Sequence, residues 1–142
     1  MVIPYLNFNG NCAEAIRFYS KVFDSKPYMI KAYNGYLSTN PHPTRLGEWI
    51  MHAQMDICGD VFWFADDTSE ISRGNMLRLT LSVDTVSQAQ KIFERLSADG
   101  RVHLPPTDAF YSPLQAVLTD KFGVNWTILV ASERLDENEP AI

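Results

Sequence analysis

Four groups of side chains in this sequence could do chemistry. His52, Gln54 and Asp56 stand at every second position of "IMHAQMDI", so on a strand they share one face. An imidazole flanked by an amide and a carboxylate could act as a general base or as a polar ligand contact; the alternative is a hydrogen-bonded strand histidine near a subunit interface. Arg78, in "LRLTLSV", carries a fixed charge suited to a carboxylate, phosphate or phosphonate, or to an ion pair with Asp56 or Glu48. Trp63, Phe8, Phe110 and Tyr111 could line an apolar cleft or simply fill the core. Of the remaining histidines, His42 in "NPHPTR" and His103 after the second helix have no clustered partner and read as surface residues.

Other chemistries find no support. There is no G-x-S-x-G and no Cys/His pairing to make a nucleophile. Cys12 and Cys58 form no CxxC pair and read as two small buried thiols in a reducing cytoplasm, with a single disulfide as the alternative. The net charge of −5 and pI near 5.1, without a Lys/Arg cluster, argue against a nucleic-acid partner. "MVIPYLNFNGN" has neither a basic start nor a long apolar run, so no signal peptide is expected. No segment approaches the roughly 20 apolar residues of a membrane span. The expectation is a cytoplasmic protein whose 142 residues make one domain.

The elements that must position these residues occur in two half-length copies. "NCAEAIRFYSKVF" has Ala15, Phe18, Tyr19, Val22 and Phe23 at helical spacing, with Asn11 and Glu14 as a capping pair. "TVSQAQKIFERLSADG" repeats the pattern with Ala89, Ile92, Phe93 and Leu96, capped by Thr85 and Gln88 and ended by Gly100. The caps are 74 residues apart, and the same offset superposes the preceding strands, "YLNF" on "LTLSV". "GDVFWF" and "GVNWTI" match at an offset of 64, the difference lying in the longer connector "YNGYLSTNPHPTRLGE". The reading is a pseudo-symmetric α+β domain, 1–132, of two βαβββ modules at about 1–70 and 75–132, with a fraying acidic tail at 133–142.

Strand alternation then assigns faces. Leu77, Leu79, Leu81 and Val83 are expected under the second helix, leaving Arg78, Thr80 and Ser82 opposite. Trp126, Ile128 and Val130 take the helix side, with Asn125, Thr127 and Leu129 opposite. Met51, Ala53, Met55 and Ile57 take the helix side of the first module, with the His52 row opposite.

"PYLNFNGNCAEAIRFYSKVF", "MHAQMDICGDVFWFADD", "LTLSVDTVSQAQKIFERLSADG" and "VLTDKFGVNWTI" together resemble the PhnB-like branch of the glyoxalase/bleomycin resistance/dioxygenase superfamily, over about residues 3–130. The resemblance implies the vicinal oxygen chelate fold, whose two modules curve their sheets into a cup. It also implies a homodimer, sometimes module-swapped. The metalloenzymes of that superfamily place four ligands in the cup, typically two His and two Glu, and the matching positions are Pro4, Trp63, Arg78 and Thr127. Those side chains suit no divalent metal, so no metal and no cofactor are expected. "TDAFYSPLQAVLTD" stands where the branch carries an aromatic loop, with Ser112-Pro113 in place of a glycine-containing continuation. No Gly-rich strand-to-helix loop supports the methyltransferase label attached to some relatives.

The resulting expectation is a metal-independent small-molecule binding protein with an anionic or aromatic ligand. Its site would draw on His52, Gln54, Trp63, Arg78, Thr80, Thr127, Phe8, Phe110 and Tyr111, with His52 the best candidate for any catalysis. Two alternatives stand beside it. One is a metal-dependent lyase, isomerase or dioxygenase of the glyoxalase type. The other is a structural homodimer whose cup is filled by its own side chains.

Overall fold

A computed structural model describes residues 1–33 and 49–131, which divide into two compact units at Ser72/Arg73. The loop around Tyr36, His42 and Glu48, and the acidic tail at 133–142, lie outside the described residues. The first unit runs β1 (Tyr5–Phe8), α1 (Cys12–Phe23), β2 (Tyr28–Ala32), β3 (Ile50–Ile57) and β4 (Asp60–Asp66). The second runs β5 (Leu79–Val83), α2 (Val86–Leu96), β6 (Arg101–Ala109), β7 (Ser112–Thr119) and β8 (Asn125–Val130). The βαβββ module is therefore present twice, as the internal repeat predicts.

Each module builds one open four-stranded sheet, in the order β1-β4-β3-β2 and β5-β8-β7-β6. The first strand pairs parallel to the last of its module, and the remaining pairings are antiparallel. The parallel pair requires a crossover, and the rest of the module, helix included, supplies it. The helix covers one face of its own sheet: α1 packs on β3 and β4, α2 on β7 and β8. Ala53, Met55, Ile57, Phe62 and Phe64 are buried with Ala15, Tyr19 and Val22. In the second module Leu81, Val83, Leu118, Trp126 and Ile128 are buried with Ala89, Ile92 and Leu96. Of the residues that alternation assigns to the helix side, Ala53, Met55, Ile57, Leu81, Val83, Trp126, Ile128 and Val130 are buried, and Met51 and Leu79 are half-buried. Leu77 is the exception: it precedes β5 and is 75% exposed, because the strand that would turn it inward starts two residues later.

The helix starts differ from each other. Thr85 accepts the Gln88 amide at 3.1 Å, and Gln88 Oε1 accepts the Asp84 amide at 3.3 Å, a reciprocal cap as expected. Asn11 makes no such bond. Its role passes to Asp66 at the end of β4, whose Oδ1 accepts the Gly10 amide at 2.7 Å and the Cys12 amide at 3.0 Å. Its Oδ2 accepts the Ile50 amide at 2.9 Å. One buried carboxylate thus ties together the β1–α1 turn, the helix start and β3.

The repeat also contains a one-residue step. Three residues, Asn9–Asn11, join β1 to α1, whereas Asp84 and Thr85 alone join β5 to α2. The helices keep the 74-residue offset, but the opening strands match at 75: Tyr5 pairs with Trp63, and Thr80 with Thr127. Pro4 lies just outside β1, where its carbonyl accepts the Trp63 amide at 2.9 Å. The opening-strand residues beside Trp63 and Thr127 are therefore Tyr5 and Thr80, whereas Pro4 and Arg78 precede their strands. The step arises because a single residue is lost in the turn before α2.

Candidate functional site

The face of the first sheet away from α1 gathers the His52 row. Its neighbours follow from the register: Tyr5 lies beside Trp63, and Trp63 beside Gln54. Rings of Tyr5, His52 and Trp63 meet edge to face, with centroids 5.6 Å apart for Tyr5–Trp63, 4.9 Å for His52–Trp63 and 6.2 Å for Tyr5–His52. Quadrupole attraction favours this arrangement over face-to-face stacking. Gln54 Nε2 stands 3.0 Å from His52 Nε2, so an amide, not a carboxylate, orients the imidazole. Asp56 is engaged elsewhere: it accepts the Tyr28 hydroxyl at 2.8 Å, and this bond raises the Tyr28 phenol above its ordinary range. Tyr5, absent from the sequence-predicted set, completes the cluster. Its register beside Trp63 was the missing signal.

The second sheet brings only some of the predicted residues together. Thr80 and Thr127 are neighbours on the face away from α2, as alternation requires. Phe8 is 5% exposed, on the same side of the first sheet as Asp66, and belongs to the core. Phe110 and Tyr111 form the two-residue turn between β6 and β7, their rings 4.8 Å apart and Phe110 82% exposed. Arg78 precedes β5 and lines a cavity at the other end of the second sheet, where Arg101 pairs with Thr119. The length of β7 separates it from the aromatic turn, roughly 23 Å at ~3.3 Å per residue. His103 is exposed, yet its Nε2 lies 2.8 Å from Thr119 Oγ1 in the same cavity, a partner that sequence spacing did not reveal.

The register pairs Tyr5 with Trp63 in the first module and Thr80 with Thr127 in the second, so these are the neighbours of the two later-strand positions that the resemblance equates with metal ligands. One phenol, one indole and two hydroxyls do not fit a divalent cation, which wants imidazole, thiolate or carboxylate. Among the described residues, no three His, Cys, Asp or Glu side chains come together at one point. The remaining glycine turn between a strand and a helix, at Gly10, has its Gly10 and Cys12 amides committed to Asp66.

The statistical model of one protein family, described as 3-demethylubiquinone-9 3-methyltransferase, matches residues 1–129. The chain belongs to this PhnB-like family. Among solved structures, the PhnB protein from Bacillus cereus is similar, with a TM-score of 0.77 and 25% identity over 92% of this chain and 98% of that one. Protein YjdN of Escherichia coli K12 is 26% identical over 92% of this chain and 95% of its own length. A glyoxylase/bleomycin resistance protein/dioxygenase domain from Frankia shares only 14% identity but superposes with a TM-score of 0.67, covering 94% of this chain and 92% of its own. The fold of this family member is therefore that of the glyoxalase and vicinal oxygen chelate superfamily. Among the described residues, no helix is long and apolar enough to cross a membrane.

Proposed function

We propose that the protein binds a small aromatic molecule, without a metal, on the Tyr5–His52–Trp63 face of its first sheet. The edge-to-face cluster of these three rings carries the reading. Trp63 and His52 are half-buried and Tyr5 is 44% exposed, so a planar ligand could displace water from them without unfolding anything. Ligand sites are mostly apolar surfaces with a few placed polar groups, and Gln54 and His52 supply those groups. In this reading His52 is a ligand contact held by Gln54, and the donor chemistry at Tyr5, Trp63, Thr80 and Thr127 supports independence from metal.

Trp63 reports on the site directly, because Trp49 and Trp126 are 4% and 0% exposed. A panel of planar aromatic compounds titrated against tryptophan emission should give saturable quenching for at least one. Tyr5→Ala and His52→Ala should weaken that ligand by about tenfold each, the loss of roughly 1.4 kcal/mol of ring contact. Absence of any saturable change, or a stoichiometric metal in the purified protein, would remove the reading.

The same reading includes a homodimer, module-swapped or not. Its support is the edge strand β2, which exposes Tyr28, Met29 and Ile30 at 38%, 67% and 54%. An uncovered apolar edge is a template for pairing with another chain. Light scattering should give twice the 16.1 kDa chain mass, and Ile30→Lys should return the monomer.

A further inference from the structure

We infer that the second module carries a separate anion site, built for the phosphate group of a small polar phosphate monoester. A cavity of about 690 Å³ lies at the start of β5, within the second module alone. Three separated stretches wall it: 73–78 ahead of β5, 99–103 from the α2–β6 turn into β6, and 119–125 across the β7–β8 turn. Arg73, Arg78, Arg101 and Lys121 line it, with His103 beside them. The chain as a whole carries a net charge of −5, yet the side chains lining this cavity include four cations, Arg73, Arg78, Arg101 and Lys121, against two carboxylates.

The guanidinium groups are available to a ligand. Among the described residues, no ion pair or side-chain hydrogen bond engages Arg73, Arg78 or Arg101. Lys121 lies over the Phe122 ring, 5.3 Å from its centroid. Two acids reach the same cavity, Asp99 and Asp120. Asp120 is buried and points its acceptors into the fold, Oδ1 to the Phe122 and Val124 amides at 2.9 and 3.1 Å, Oδ2 to the Trp126 indole at 2.9 Å. Asp99 remains as the one exposed carboxylate against the cations.

The walls are also held in place before any ligand arrives. Asn125 donates through Nδ2 to the Gly74 carbonyl at 2.7 Å and the Leu77 carbonyl at 3.3 Å, which pins the segment between Arg73 and Arg78. Its Oδ1 accepts from Thr119 Oγ1 at 2.7 Å. Thr119 has only one proton, so the contact with His103 must run the other way, from His103 Nε2–H to Thr119 Oγ1. Gly123, with φ +93°, leaves open the space through which Arg73 passes: a Cβ there would meet Arg73 Cδ at 2.5 Å and Nε at 2.9 Å. Three guanidinium groups carried on held backbone around one polar cavity offer the paired N–H donors that a phosphate dianion accepts. The volume exceeds that of the anion alone, and Asn75 on the cavity wall offers hydrogen bonds to a hydroxylated remainder.

The test uses the intact chain at constant ionic strength, with inorganic phosphate, ribose 5-phosphate and ribose as probes at millimolar concentration. Saturable shifts of the His103 ring resonances and a rise in Tm are expected for ribose 5-phosphate, a weaker response for phosphate, and none for ribose. Arg78→Gln and Arg101→Gln, at exposed side chains, should each weaken ribose 5-phosphate at least tenfold. Trp63→Ala should leave it unchanged, which separates this site from the aromatic face. Failure of both phosphate and ribose 5-phosphate to saturate overturns the inference. So does binding that survives both arginine changes or depends on Trp63.

Discussion

Asp66, the last residue of β4, accepts the Cys12 amide at 3.0 Å and so caps a helix that begins 54 residues earlier in the chain. Long-range capping makes the start of α1 depend on the sheet being formed. Asp66→Ala would leave the amides of Gly10, Cys12 and Ile50 without their acceptor. Each buried unsatisfied donor costs about 1–3 kcal/mol, so urea unfolding should show a loss of about 3 kcal/mol or more. Asp66→Asn, which keeps one acceptor oxygen, should lose less. A loss below about 1 kcal/mol for the alanine variant would mean that water replaces the carboxylate.

The same residue marks the boundary of what the sequence could reveal. Helices, strand faces and the doubled module follow from period and alternation, which are local signals; Ala15 and Ala89, 74 apart, are both fully buried. Asp66 as a cap was hidden because nothing within four residues of Asn11 points to β4. Tyr5 was hidden by the single residue missing between β5 and α2, which shifts the strand against the helix. The place of Arg78 was not legible, since the cavity it lines is assembled from stretches about 20 residues apart. The His52 row was legible as a face, while its true partners, Tyr5 and Trp63, depend on strand register.

Asp120 is the buried carboxylate of the second module, closing the "DKFG" turn and holding the Trp126 indole at 2.9 Å. Asp120→Asn is expected to cost about 2–3 kcal/mol despite its similar shape. The new amide must turn its NH2 toward either the indole N–H or the two turn amides, and both are donors. Trp126→Phe removes one of those donors. A double-mutant cycle should therefore show coupling of about 1 kcal/mol between the two sites, read by urea unfolding. Independent, additive effects would separate the indole from the turn.

Burial, reinforced by nearby Asp66, holds the Cys12 thiol well above its ordinary range. The folded state then keeps its proton at pH values where the unfolded state has lost it. Stability from this group is complete below the ordinary thiol value of ~8.5 and declines as pH rises beyond it. Melting temperature should fall between about pH 9 and 10.5, and Cys12→Ala should flatten that fall. Cys58 is exposed, contrary to its expected burial, so a thiol reagent should label Cys58 alone in the native protein and both cysteines in urea.

Gly100 and Gly59 separate two reasons for using glycine. At Gly100 a Cβ would collide with the Thr119 carbonyl and stand 3.1 Å from Asp120 Cα, and neither backbone atom can yield without opening β6 from β7. At Gly59 a Cβ meets nothing within 4 Å, but φ is +89°. Gly59→Ala should therefore cost only the left-handed conformation, about 1 kcal/mol. Gly100→Ala should cost more, about 2 kcal/mol or above, as overpacking does. Because Gly100 also walls the cationic cavity, its alanine variant should lose ribose 5-phosphate binding while Gly59→Ala retains it. Equal stability losses at the two positions would show that the strand pair moves apart to admit the methyl group.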